Sequence, residues 1–392
     1  MSTFKSFLSV LLVAVLIPIS IAHGQALSTP PAKVWDRGLS RDPNYFPIAV
    51  WLQDPRNAAA YRKAGINLYV GLWNGPSEEQ LKALAAAKMP VICSQSTRAL
   101  QFKENPIIVG WMHGDEPDNA QELPGPKKGY GPPIPTERII SQYERIKSND
   151  PSRPVMLNLG QGVAYDNYIG RGVRRNHPED YAEYIKGSDI VSFDIYPVVN
   201  ENKEVAGKLE FVPRGVERLR KLGNGERIVW NCIEASHIGE ADRIATPSQI
   251  RSEIWMSIIH GSRGIIYFVH QFSPKFVEAS LLSNPELLAG VTEINREVAE
   301  LAAVINEPGI PEVKKSGEKQ SGTVAYITRQ HDKAKYVFAT QMDGQSQKAM
   351  METGDSGDTT FDVLGENRSV QAKSGIIEDE FKPYAVHLYR SR

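Results

Sequence analysis

Cysteine is almost missing from this chain: 392 residues hold two, Cys93 and Cys232. Both lie in apolar segments that read as strands far apart in order, so they are expected as buried free thiols and not as a disulfide framework. The C-x-x-C and H-x-H spacings of common metal sites are absent. So is G-x-G-x-x-G, which deprives the runner-up architecture, a doubly wound open sheet, of its phosphate-binding turn. No long basic run occurs and the formal net charge is −1, so electrostatics gives no pull toward nucleic acid or an anionic membrane, and a neutral ligand fits better. Long apolar runs are confined to the N-terminus, from about Phe7 to Ile21. That segment is shorter than the roughly 20 residues that span a bilayer and is interrupted by Pro18. With Lys5 before it and Gly24 and Ala26 after it, residues 1–26 are expected to be a cleavable signal peptide, which makes the mature protein secreted or periplasmic without stable membrane insertion. No cysteine stands at the cleavage position to carry a lipid.

What is present is a large apolar fraction, 41%, against 23% charged residues. This suffices for a big core, and the chain reads as a large domain followed by a small one. From Phe46 the pattern alternates strand and helix at short spacing. Strands are expected at FPIAVWLQ, INLYVGLW, MPVICSQ, IIVGWM, PVMLNLG, SDIVSFDIYPV, RIVWNCIEAS and GIIYFVHQF. Ser77 with Gln80, and Thr246-Pro247 with Gln249, are helix-start signatures between them. Eight strand-helix units over roughly 260 residues are the count and size of a (β/α)8 TIM barrel, taken as residues 27–307. After Pro308 the pattern changes to short alternating strands, GTVAYITRQ, AKYVFATQM, TTFDVLGE and YAVHLYR, so residues 308–392 are expected to form a small C-terminal antiparallel β-domain with a structural role.

Chemistry concentrates in Ile107–Asp118, IIVGWMHGDEPD. An apolar strand turns polar at His113 and stops at Glu116-Pro117, since proline cannot donate to a sheet ladder. Glu116 therefore sits at a strand's carboxyl end, where barrel enzymes collect their reactive groups. Strand seven ends on a second acid, Glu234. Strand six alternates, with Val191, Phe193 and Ile195 on one face and Ser192, Asp194 and Tyr196 on the other. The polar face suits the mouth of a barrel, where Asp194 reads as a hydrogen-bonding group.

With Asp115-Glu116-Pro117 after strand four and Glu234 after strand seven, the barrel portion resembles the clan A glycoside hydrolases, whose strand-four motif is commonly Asn-Glu-Pro. The resemblance implies a retaining glycosidase that uses two carboxyls and no cofactor, with Glu116 as acid/base and Glu234 as nucleophile. Asp115 replaces the asparagine that in the family contacts the sugar 2-hydroxyl. It can accept but not donate there, and its charge would raise the pKa of Glu116. Tyr196 resembles the tyrosine that in several of these families bonds the nucleophile.

The remaining substrate-binding expectations come from position. Trp51 and Trp73 lie near strand ends and suit stacking on a sugar, whereas Trp111 and Trp230 lie deeper and read as core. Asn158, His270 and Gln271 are placed to bond sugar hydroxyls. His113, His237 and His270 with Asp115 admit a metal-dependent hydrolase as one alternative, although no ligand motif supports it. A non-catalytic barrel that binds carbohydrate is the other. The expected partner is in each case a carbohydrate, not nucleic acid.

Overall fold

The computed structural model describes residues 35–125, 129–239, 243–309, 311–317 and 323–392; the signal-peptide segment lies outside them. Strands β1 (Ile48–Trp51), β2 (Leu68–Val70), β3 (Val91–Ser94), β4 (Ile108–Met112), β5 (Val155–Leu159) and β6 (Ile190–Phe193) pair in parallel, each with the next. β7 comes in two pieces, Ile228–Val229 and Asn231–Glu234, broken at Trp230. Its first piece pairs with β6 and its second with β8 (Ile265–Phe268), which pairs back onto β1 with Ile48 opposite Ile265. The sheet is thereby closed into the expected (β/α)8 barrel.

Strands covered on both faces read as continuous apolar runs, and these do. One face fills the lumen with Trp51, Val70, Ile92, Met112, Met156, Trp230 and Ile266. The other packs on helices α1 (Ala58–Lys63), α2 (Glu78–Ala86), α3 (Thr97–Leu100), α4 (Thr136–Asn149), α5 (Asp180–Tyr184), α6 (Phe211–Leu222), α7 (Pro247–Ile259), α8 (Pro285–Glu300) and α9 (Ala302–Ile305). Both expected capping boxes form, at Ser77 with Gln80 and at Thr246 with Gln249. Val191, Phe193 and Ile195 face the helices, while Tyr196 joins the lumen, as the alternation of β6 requires. Trp111 is fully buried on the helix side, its indole Nε1 donating to Asp150 at 2.9 Å.

Eight short strands follow among the described residues, Lys314–Ser316, Val324–His331, Ala334–Gln341, Gln347–Glu352, Thr359–Val363, Arg368–Ala372, Ile376–Phe381 and Val386–Ser391. They form a six-stranded and a two-stranded antiparallel sheet. The six-stranded sheet lies over α7: the Trp255 and Phe338 rings are 5.0 Å apart, and Ser252 Oγ donates to the Tyr384 carbonyl at 2.6 Å. Both Cys93 and Cys232 are buried free thiols. No helix among the described residues is long and apolar enough to cross a membrane.

Candidate active site

β4 delivers Asp115 and Glu116 to the carboxyl-terminal mouth. Glu116 has φ +40°, a left-handed backbone that costs a non-glycine residue of the order of 1–3 kcal/mol and must be held by its surroundings. The hold comes from the loop that follows: Asn119 N donates to the Glu116 carbonyl at 3.0 Å, and Gln121 Nε2 reaches it at 3.3 Å. Asp118, two residues on, is structural. Its carboxylate takes the Gly160 amide at 2.9 Å and the Tyr181 hydroxyl at 3.0 Å, with the Arg171 guanidinium 3.6 Å away.

β5 and β6 add the partners. Asn158 Nδ2 donates to Asp115 Oδ1 at 2.9 Å and to Asp194 Oδ1 at 3.0 Å, while its Oδ1 accepts from Ser192 Oγ at 2.6 Å. The two N–H bonds of an amide diverge by roughly 120°, so the bridged oxygens of Asp115 and Asp194 stand about 5 Å apart. The Cys232 thiol lies beside the same amide, 3.8 Å from Asn158 Oδ1. The Tyr196 hydroxyl lies buried near Asp194 without a well-aligned hydrogen bond, which leaves an open donor at the cluster.

These carboxyls hold protons unequally. Asp115 is exposed at the mouth, yet the protein packed around its carboxyl, then the charge of Asp194, pushes it up to about 7. Glu116 is raised well above the usual glutamate range, first by burial and then by Asp194, Asp115 and Asp118. Burial also raises Asp194, but Cys232, Asn158 and Tyr196 all favour its anion. With Asn158 bonded to it and the Cys232 thiol and Tyr196 hydroxyl close by, Asp194 is the member best furnished to stay charged.

Glu234 sits elsewhere in this network. It is 0% exposed, and its two oxygens accept the Val198 and Val199 amides at 2.7 and 2.8 Å. The carboxyl facing it is Glu253, buried on α7, whose oxygens have no other partner. Two such carboxyls stay together only by holding a proton between them. Burial accordingly pushes Glu234 up to about 7 and Glu253 well above its ordinary value. Glu234 thus has the Val198 and Val199 amides and Glu253 as its partners, whereas Asp194, Asp115 and Asp118 are the charges that act on Glu116. Glu116 meets Asp194, and Glu234 braces the loop that follows β6.

The aromatic and polar expectations also divide. Trp51 is buried in the lumen, whereas Trp73 is 44% exposed, with Nε1 donating to Glu278 at 2.6 Å and its ring 5.9 Å from His270. His270, His113 and His237 are each engaged with a backbone carbonyl, of Leu52, Gly187 and Ser273 respectively. Gln271 sits on the rim, its backbone bridged to Val277. Among the described residues no cluster of three or more side chains is arranged to hold a metal ion. Asp194 takes the hydrogen-bonding place expected of it, and what the sequence did not convey is its charge beside Asp115 and Glu116. Its signal was present in the polar face of β6, but a carboxyl among serine and tyrosine on a lumen face has no distinguishing motif.

No protein-family model matches the sequence and no curated protein matches it. Solved structures do match along nearly the whole chain. A family 39 glycoside hydrolase from the gut symbiont Bacteroides cellulosilyticus WH2 superposes with a TM-score of 0.54 at 11% identity, over 91% of this chain and 83% of that one. An α-amylase from Geobacillus thermoleovorans, complexed with acarbose, gives 0.52 at 11% identity over 92% and 99%. An Anoxybacillus α-amylase gives 0.53 at 10% identity over 90% and 99%. The chain has the fold of these glycoside hydrolases. At such identities the likeness is one of fold and assigns no residue a role.

Proposed function

We propose that this protein is an exported glycoside hydrolase that cleaves O-glycosidic bonds of an oligo- or polysaccharide with retention, using carboxyls of β4 and β6. The observation that carries the reading is the acidic cluster at the barrel mouth, where Asn158 joins Asp115 to Asp194 and the charges of Asp194 and Asp115 act on Glu116. Retention requires the Glu116 and Asp194 carboxyls to act ~5 to 5.5 Å apart, where inverting enzymes leave room for water at ~6.5 to 9.5 Å. In this reading Asp194, held by Asn158, attacks the anomeric carbon, and water later displaces it there. Glu116 protonates the leaving oxygen and then takes a proton from water, with Asp115 beside it keeping its affinity for the proton high. Glu234 has a positioning role, fixing through Val198 and Val199 the loop that carries Tyr196. Export rests on the apolar segment near the N-terminus, and N-terminal sequencing of the mature protein tests it.

Hydrolysis of aryl glycosides and polysaccharides by wild type and variants decides between these assignments. Asp194→Asn is expected to lose at least about 10³-fold in kcat while still binding sugar. Glu116→Gln should lose most on poor leaving groups and little on activated ones, and NMR of the first-formed product should show the starting anomer. A Glu234→Gln variant that keeps its fold but loses all turnover, alongside an active Asp194→Asn, would return the nucleophile to strand seven. Binding without turnover in wild type would favour a carbohydrate-binding barrel.

A further inference from the structure

Beyond β8 the chain makes a small hairpin, closed by reciprocal backbone hydrogen bonds between Gln271 and Val277 at 3.0 and 2.9 Å. It is anchored sideways: Phe272 N donates to the Ile238 carbonyl at 3.1 Å, and His237 Nδ1 lies 3.2 Å from the Ser273 carbonyl. This braced hairpin holds Phe272 and Phe276 54% and 55% exposed, with ring centres 5.8 Å apart and planes tilted by 32°. Large apolar rings left in water on a fixed support usually mark a contact surface.

The rings form part of a continuous path. Phe276, Phe272 and Trp73 each pack near His270, and Phe268 stands 6.1 Å from Phe272. Phe268 in turn lies 5.2 Å from Tyr196, whose unpartnered hydroxyl neighbours Asp194. An aromatic path therefore descends from the rim to the carboxyl cluster, with Glu278 fixing the Trp73 indole and the Leu52 carbonyl fixing His270. The negative face of an aromatic ring attracts the C–H face of a pyranose, and rings already held in place bind without ordering cost. A protein partner would need no such continuity with a reactive cluster.

We infer that Phe272 and Phe276, with Trp73, form a stacking subsite for the sugar units of a neutral glycan chain that extends outward from the carboxyl cluster. The substrate is then an oligo- or polysaccharide gripped beyond the bond that is cut. This rests on the glycosidase reading for the polarity of the chain, but the binding itself does not require turnover.

The test uses the full mature chain carrying Glu116→Gln, titrated calorimetrically with gluco-, xylo-, manno- and malto-oligosaccharides of one to six units. Affinity for the preferred series is expected to climb with length. Phe272→Ala with Phe276→Ala should flatten the climb and weaken the hexasaccharide by about tenfold per ring. Phe272→Trp should restore it, which separates loss of stacking from loss of fold, and Met350→Ala, an exposed apolar change in the β-domain, should leave the climb intact. Undiminished length dependence in the double alanine variant overturns the inference, as does the absence of binding to every series. So does a concentration-dependent dimer, seen by light scattering, that the same substitutions abolish. Turnover of small aryl glycosides without any gain from chain length would sink the subsite and leave the hydrolase standing. Length-dependent binding by a protein that hydrolyses nothing would do the reverse.

Discussion

At the mouth of the barrel three carboxyls lie close together, and what each can do depends on the groups beside it. Asp194 has Asn158, Cys232 and Tyr196 around it; Glu116 has Asn119 and is crowded by negative neighbours. Replacing Asp115 with asparagine removes one of those neighbours while keeping the shape. The Asp115 carboxyl, at about 7, is charged mainly above neutrality, so its repulsion of Glu116 acts there. Removing it lowers the pKa of Glu116, and the alkaline limb of kcat/KM, where a general acid is lost, should move to lower pH by about one unit. A pH–rate profile of Asp115→Asn on an aryl glycoside from pH 4 to 9 checks this; an unmoved limb would take the acid role away from Glu116. Glu116 was legible in the sequence because a proline stops its strand and exposes the strand's end. Glu234 carried a similar signal, and strand order placed it correctly at the end of β7. What sequence could not convey is that Val198 and Val199, two and three residues past Tyr196, fold back and cap the Glu234 oxygens. Nor could it show that Asn158 would join Asp115 to Asp194, since the three come from different strands.

Among the elements, α7 explains why Glu234 is tied down. Nine of its thirteen residues are buried, from Ile250 to Ile259, because β7 covers one side and the C-terminal sheet the other. Among the nine, Ser252 and Ser257 return their hydroxyls to the helix's own carbonyls, and Glu253 is the one acid, placed against Glu234. Both have folded pKa values above the ordinary 4.5, so the folded state binds the extra proton and its stability is complete below about pH 4.5 and lost as pH rises through about 7. The loss is on the order of 3 kcal/mol by that shift. Glu253→Gln supplies an N–H to Glu234 without needing a proton, so its melting temperature should fall less than wild type's between pH 5 and pH 8. Parallel melting curves for the two proteins across that range would refute the shared proton. The elements themselves were largely legible: strand-helix alternation and capping boxes gave the barrel. Four of the tail strands were not. Gln347–Glu352 reads QKAMME and Ile376–Phe381 reads IIEDEF, with helix-favouring or acidic residues in strands whose pairing is set by tertiary context. The break of β7 at Trp230 was equally hidden, since the apolar pattern runs on unchanged through it and the Trp230 amide still bonds the Val191 carbonyl.

For the molecule as a whole, the C-terminal sheet supplies the outer wall that α7 needs. Arg251 links the two parts, pairing with Glu297 of α8 and donating to the Val386 carbonyl at 3.0 Å, and Trp255 sits fully buried between Phe338 and Glu297. Since α7 also backs β7, weakening the sheet's grip should loosen the barrel and not only the tail. Trp255→Ala removes the largest side chain at this junction and leaves the Glu297 carboxylate without its indole donor, a change expected to cost ~3 to 5 kcal/mol. Calorimetry should show one endotherm in wild type and one endotherm, lower by several degrees, in the variant. Two separated endotherms in wild type, with only one moved by Trp255→Ala, would mean that barrel and β-domain unfold independently. The sheet would then be an attached module and not a wall of the hydrolase fold, and the burial of Glu253 would have to be maintained by the barrel alone.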